Sequence, residues 1–174
     1  GPPHRLMEGY LTLMAEVFEQ IETPPTHIFL QAGVGGLACA CATAARKEWA
    51  DGPTIIVVEP DAAPALMGSV KAGEFAVGDG PVSCMGRLDC KEPSLIALKG
   101  LARDADWFCT ISEADALDAM ARLEAAGLAT TPSGGAGLVA LTQANGAFGV
   151  GPASRVLCIL SEEPCQMRGF DDAA

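Results

Sequence analysis

Along residues 6–21, apolar side chains return every three or four positions. Met7, Tyr10, Leu11, Met14, Val17, Phe18 and Ile21 share one stripe, which predicts an amphipathic helix ended by Thr23-Pro24-Pro25. The period then changes. Residues 27–32 are a strand-like run, and residues 54–59 are a continuous, β-branched apolar run bounded by turn residues, as expected of a strand covered on both faces. Residues 107–111 and 155–160 predict two more strands. Helices are expected between them, over residues 37–49, 63–72, 94–103, 114–126 and 136–145. Ser112 and Asp115 have the spacing of a capping box, and Gly127 closes that helix. The stretch 73–91 is the least regular, and a loop of that length is either functional or mobile. Strand and helix alternate throughout, so the expected class is α/β, a three-layer αβα domain with a mostly parallel sheet.

Composition narrows the function. The chain has 174 residues, 49% of them hydrophobic, and a net charge of −11. It is long enough for one domain with a full core. The acidic balance disfavours nucleic acid and anionic membranes as partners. Seven cysteines without framework spacing suggest free thiols in a reducing cytoplasm. Cys39 and Cys41 diverge by about 200° on a helix, and no cysteine has a zinc-type partner nearby, so no metal site is expected. His4 and His27 lack the partners of a hydrolase triad. Residues 1–2 read as a tag remnant, residues 3–163 as the α/β domain and residues 164–174 as a frayed tail.

The chemistry concentrates at Gln31-Ala32-Gly33-Val34-Gly35-Gly36-Leu37, where a strand runs through three glycines into a helix. Backbone without Cβ atoms approaches a ligand closely, and a helix N-terminus favours an anion. A tight structural turn is the plain alternative. Ser161, at the end of the last predicted strand, is either a second ligand contact or a strand-end cap. Thr131 and Ser133 read as N-cap residues. A dinucleotide is one candidate guest: Glu59 ends the next strand where a ribose-binding acid would stand, although the third glycine of G-x-G-x-x-G is displaced. Glu59 and Asp61 also read simply as strand-end and turn residues.

The second candidate guest rests on a resemblance. Gln31 to Gly36 resembles the phosphate loop of the tryptophan synthase β-like (fold type II) pyridoxal-phosphate enzymes, and most of all that of the diaminopropionate ammonia-lyases. Met7-Glu8-Gly9-Tyr10 with Thr12 resembles their M-Q-G-Y segment. Ile56-Val57-Val58-Glu59-Pro60 is similar to I-V-E-P, and Met85 to Pro93 to M-A-G-L-x-C-G-E-P. Pro132 to Gly137 resembles the later glycine turn. Arg87 and Lys91 stand where that pattern has glycine, and Thr131 where many relatives have Glu.

The resemblance covers residues 7–163 and implies the C-terminal part of the large domain of a lyase. The implied cofactor is pyridoxal 5'-phosphate and the implied reaction is α,β-elimination of 2,3-diaminopropionate to pyruvate and ammonia. The amides of Gly33, Val34, Gly35, Gly36 and Leu37 would hold the phosphate, and Ser161 the pyridine nitrogen. The family's Schiff-base lysine lies upstream of the phosphate loop. The lysines here, Lys47, Lys71, Lys91 and Lys99, all follow it, so the chain alone is expected to be inactive, with no catalytic residue of its own. A homo-oligomer is expected. A serine or threonine dehydratase-like enzyme fragment and a non-catalytic phosphate-ligand-binding module are the alternatives.

Overall fold

The computed structural model describes residues 2–164, with side chains from residue 8 onward. The expected tail lies outside the described residues except for Pro164, as does Gly1 of the expected tag remnant.

Four strands, β1 (His27–Gln31), β2 (Thr54–Pro60), β3 (Trp107–Ile111) and β4 (Val156–Cys158), form one sheet in the order β3-β2-β1-β4. Every pairing is parallel, with Gln31 opposite Val58 and Phe29 opposite Cys158. Successive strand residues face opposite ways, and both faces are buried. Ile28, Leu30, Ile55 and Val57 enter one core, whereas Phe29, Ile56 and Val58 enter the other. Burying each such side chain contributes about 1.5–3 kcal/mol, which is why these runs carry no polar alternation. The first core is covered by α1 (Pro2–Gln20), α2 (Gly36–Trp49) and α4 (Leu95–Asp104). The second is covered by α5 (Glu113–Ala125) and α6 (Ala136–Gln143). Helix α3 (Ala65–Ala72) follows β2, and its Leu66 reaches the first core. The result is the three-layer αβα arrangement expected from the alternation. No helix among the described residues is long and apolar enough to cross a membrane.

Local chemistry sets the boundaries. Ser94 caps α4 by accepting from the Ala97 N–H, and Ser112 caps α5 by accepting from the Asp115 N–H. Asp115 answers through its carboxylate, which takes the Ser112 hydroxyl proton at 2.6 Å rather than reaching the cap's own amide. Past α5 the Leu128 N–H donates to the Leu123 carbonyl at 2.8 Å across Gly127, a Schellman closure.

Several expectations shift, among them the start of α3, at Ala65 rather than 63. Helix α6 stops at Gln143 rather than 145, because Asn145 and Gly146 both take positive φ. A short 3-10 turn, Ala147–Gly149, follows, with no counterpart in the expected pattern. Strand β4 is three residues long rather than six. Thr131 and Ser133 are not helix caps: the cap position of α6 is Gly135, with no side-chain bond.

The irregular stretch between α3 and α4 is tied by polar groups. Lys91 Nζ donates to the Ala62 carbonyl at 2.9 Å, to the Pro81 carbonyl at 2.7 Å and to the Asp89 carboxylate. The ammonium holds Asp89 below the usual carboxylate range. Lys91, which stands where the resembled pattern has glycine, thus serves as the loop's internal tie.

Candidate cofactor site

The chain order β1-β2-β3 runs one way across the sheet, and β4 lies on the other side of β1. The carboxyl ends of β1 and β4 therefore flank a topological switch point, where open parallel sheets bind ligands. A cavity of about 760 Å³ opens there. Its lining brings together the residues from Gln31 to Leu37, Ser133, Ser161 and Glu162, with Tyr10 from α1 and Arg87 from the irregular loop.

The glycine bend is shaped by close approach. A Cβ on Gly33 would sit 2.9 Å from the Arg87 carbonyl oxygen and 3.0 Å from Cys90 Sγ. Gly35 has φ +96°, and a Cβ there would lie 2.9 Å from the Ala97 methyl carbon. At Gly36 an added Cβ would meet only the Tyr10 ring, at 3.9 Å, so this side of the bend is open.

The bend carries unmet donors. The Ala32 N–H donates to Val58 and the Cys39 N–H to Gly35. Between them, the amides of Gly33, Gly35, Gly36 and Leu37 have no acceptor among the described residues. They cluster at the positive end of a 14-residue helix. The Val34 N–H faces Cys90 Sγ, where it offsets part of the rise that burial imposes on that thiol.

The opposite wall is built by α6's approach turn and the end of β4. Gln31 Nε2 lies 2.9 Å from the Gly134 carbonyl oxygen, 2.8 Å from that of Ile159 and 3.1 Å from Ser161 Oγ. Ser161 N–H donates to the Gly134 carbonyl at 3.3 Å. The backbone ladder of β4 ends at Cys158, and beyond it the Ile159 carbonyl accepts from the Gln31 side-chain amide. Thr131 Oγ1 accepts from the Gly134 N–H at 2.9 Å and donates to the Glu162 carboxylate. Ser133 Oγ accepts from the Arg87 N–H at 3.1 Å. The Arg87 guanidinium, largely exposed, pairs with Glu162 across 3.7 Å at the cavity edge.

Of the residues singled out from sequence, Gly33 to Leu37 and Ser161 share this cavity. Glu59 does not. It is fully buried, and its carboxylate accepts from the N–H groups of Leu66 at 2.7 Å and Met67 at 2.8 Å at the start of α3. A dinucleotide would lack its ribose acid here. None of the four lysines lines the cavity. Gln31 belongs to the loop motif, yet sequence reasoning assigns it no role. Its signal is there to be read: an amide ending an otherwise apolar strand that is buried on both faces.

Free amides at a helix N-terminus, facing a neutral hydroxyl across one pocket, suit a phosphorylated ring with an acceptor nitrogen. Residues 3–162 match the pyridoxal-phosphate dependent enzyme family, and the chain belongs to it. Its architecture is that of the fold type II members.

Diaminopropionate ammonia-lyase of Salmonella typhimurium is 36% identical over 163 residues, covering 86% of this chain and 37% of that protein. The chain thus spans little more than a third of this relative's length. The crystal structure of Escherichia coli diaminopropionate ammonia lyase with an aminoacrylate-PLP azomethine reaction intermediate superposes with a TM-score of 0.80 at 27% identity, over 90% of this chain and 44% of that one. Threonine deaminase isoform 2 from Solanum lycopersicum shares the fold, with a TM-score of 0.83 at 17% identity over 92% of this chain and 46% of that one.

Proposed function

We propose that this chain is the phosphate- and ring-holding part of an ammonia-lyase that eliminates a β-amino group from a small amino acid of the 2,3-diaminopropionate kind. The observation that carries the proposal is the meeting of unpaired amides and the Ser161 hydroxyl in one cavity at the switch point. Bound there, pyridoxal 5'-phosphate supplies an electron sink for the amino acid's Cα. The chain's residues bind and orient. The amides of Gly33, Gly35, Gly36 and Leu37 take phosphate oxygens, and Val34 is the weakest donor because its proton also meets Cys90. Ser161 donates its hydroxyl proton to the pyridine nitrogen. A neutral partner leaves that nitrogen largely unprotonated, which suits a reaction whose leaving group carries charge away quickly. With no lysine at the cavity, the chain holds the cofactor without attaching it covalently.

The chain alone is therefore expected to bind pyridoxal phosphate reversibly and to release no ammonia from any amino acid. The full-length protein is expected to release ammonia fastest from 2,3-diaminopropionate. Spectrophotometric titration and an ammonia assay against diaminopropionate, serine and threonine check both. Preference for serine or threonine would make it a dehydratase, and failure to bind the cofactor would leave only a module for another phosphate ligand.

We also expect self-association. Strands β3 and β4 are both edges, and about half of the Trp107 surface is exposed on β3. Light scattering over a concentration series tests this, and a strictly monomeric species at high concentration would sink it.

A further inference from the structure

We propose that Gln31 is a positioning residue that fixes the Ser161 hydroxyl as a donor into the cavity, an inference that rests on the cofactor site proposed above. Gln31 is 1% exposed and ends β1, one residue before the glycine bend. A buried amide is costly unless it is used. Its two protons meet three acceptors: the carbonyls of Gly134 and Ile159, and Ser161 Oγ. This donation to two carbonyls fixes which end of the side chain is nitrogen. The oxygen end, Oε1, is buried without a partner and packs beside Gly137. An amide kept at that cost has its value on the nitrogen side.

Two consequences follow from the geometry. First, Gln31 ties the strand that leads into the phosphate bend to the segment that carries Ser161, so the spacing between the two ends of the bound group is set by one side chain. Second, Gln31 shares one of its two protons with Ser161 Oγ at 3.1 Å, so that this N–H faces a lone pair of the hydroxyl and the hydroxyl proton points elsewhere. As a donor the hydroxyl makes no bond to the described residues, and Ser161 is exposed and lines the cavity. A ring nitrogen placed there receives the proton as a hydrogen bond.

The test uses protein loaded with pyridoxal phosphate labelled with 15N in the ring, read by 15N and 31P NMR. Ser161→Ala is expected to move the ring nitrogen resonance downfield, toward a nitrogen with no donor. Gln31→Leu and Gln31→Met are expected to move it the same way by at least half as far, while the phosphate resonance stays in place. Gln31→Glu keeps a donor only while its carboxyl is protonated. Its ring nitrogen resonance should therefore vary with pH where the wild type's does not, and this arm survives if the apolar variants fail to fold.

The outcomes separate. Wild-type protein that binds no cofactor overturns the site and this inference together. A Ser161→Ala shift accompanied by an unmoved resonance in all three Gln31 variants overturns Gln31's role alone.

Discussion

Gly35→Ala is expected to lower the unfolding free energy by about 2–5 kcal/mol, and Gly36→Ala, one residue on, to leave it unchanged or slightly raised. At Gly35 two costs add. The backbone sits at φ +96°, where an L side chain is strained. The new methyl would also press on the Ala97 Cβ at 2.9 Å and the Leu66 Cδ1 at 3.1 Å, both buried atoms of α4 and α3. Neither can retreat without moving its helix. At Gly36 the methyl meets only the Tyr10 ring at 3.9 Å, and alanine is the better helix former. Yet Gly36 lines the cavity, so its methyl would stand among the amides proposed to take the phosphate. Urea denaturation should place the stability loss at Gly35, and a cofactor titration should show at least a tenfold loss of affinity at Gly36. A Gly36→Ala protein that binds pyridoxal phosphate as wild type does would mean that the open side of the bend is not the phosphate seat.

How much of this is legible in the chain depends on the range over which each feature is decided. Strand β3 can be read to the residue, and β1 and β2 to within one, because each has an unbroken apolar or β-branched middle set between turn residues. Ser112 announces the start of α5 through a bond three residues long. The bend at Gly33–Gly36 is legible as chemistry, since three glycines between a strand and a helix form a recognisable turn; the close approaches that require glycine at Gly33 and Gly35 come from residues far along the chain. Features decided at long range are not legible. Where β4 stops pairing, the Ile159 carbonyl accepts from the Gln31 side chain, 128 positions away in sequence. The bond between Gln31 and Ser161 spans 130 positions. Thr131 looks like a helix cap because Ser and Thr before a helix often are. Instead, its hydroxyl closes the turn at Gly134 and reaches Glu162 on the neighbouring segment. Lys91 looks like a disruption of a glycine position, and only the folded loop shows the two carbonyls that it satisfies.

Stability is expected to fall by about 3 kcal/mol as pH rises from 5 to 8, and Glu59→Gln should abolish most of that slope. Burial pushes the Glu59 carboxyl up to about 7 from its ordinary 4.5, and the Met67 and Leu66 N–H groups pull it back only in part. The folded protein thus holds this proton more tightly than the unfolded chain does. The resulting stabilisation is complete below about 4.5 and is lost as pH passes through 7. Three other shifted groups lie outside this window. Lys91 and Arg103 hold Asp89 and Asp104 below the usual carboxylate range. The Cys109 thiol is pushed up to about 11, first by burial and then by the Glu59 charge. The glutamine side chain of the Glu59→Gln variant would keep an acceptor for one α3 amide while removing the charge. The variant should lie about 1–3 kcal/mol below the wild type near pH 5, because its Nε2 turns a donor toward an α3 N–H that has lost its acceptor, and the gap should close or reverse near pH 8, where the wild type carries a buried charge. Urea denaturation at half-unit pH intervals decides the matter: parallel curves for the two proteins would show that the slope arises elsewhere and that the α3 amides hold Glu59 ionised throughout.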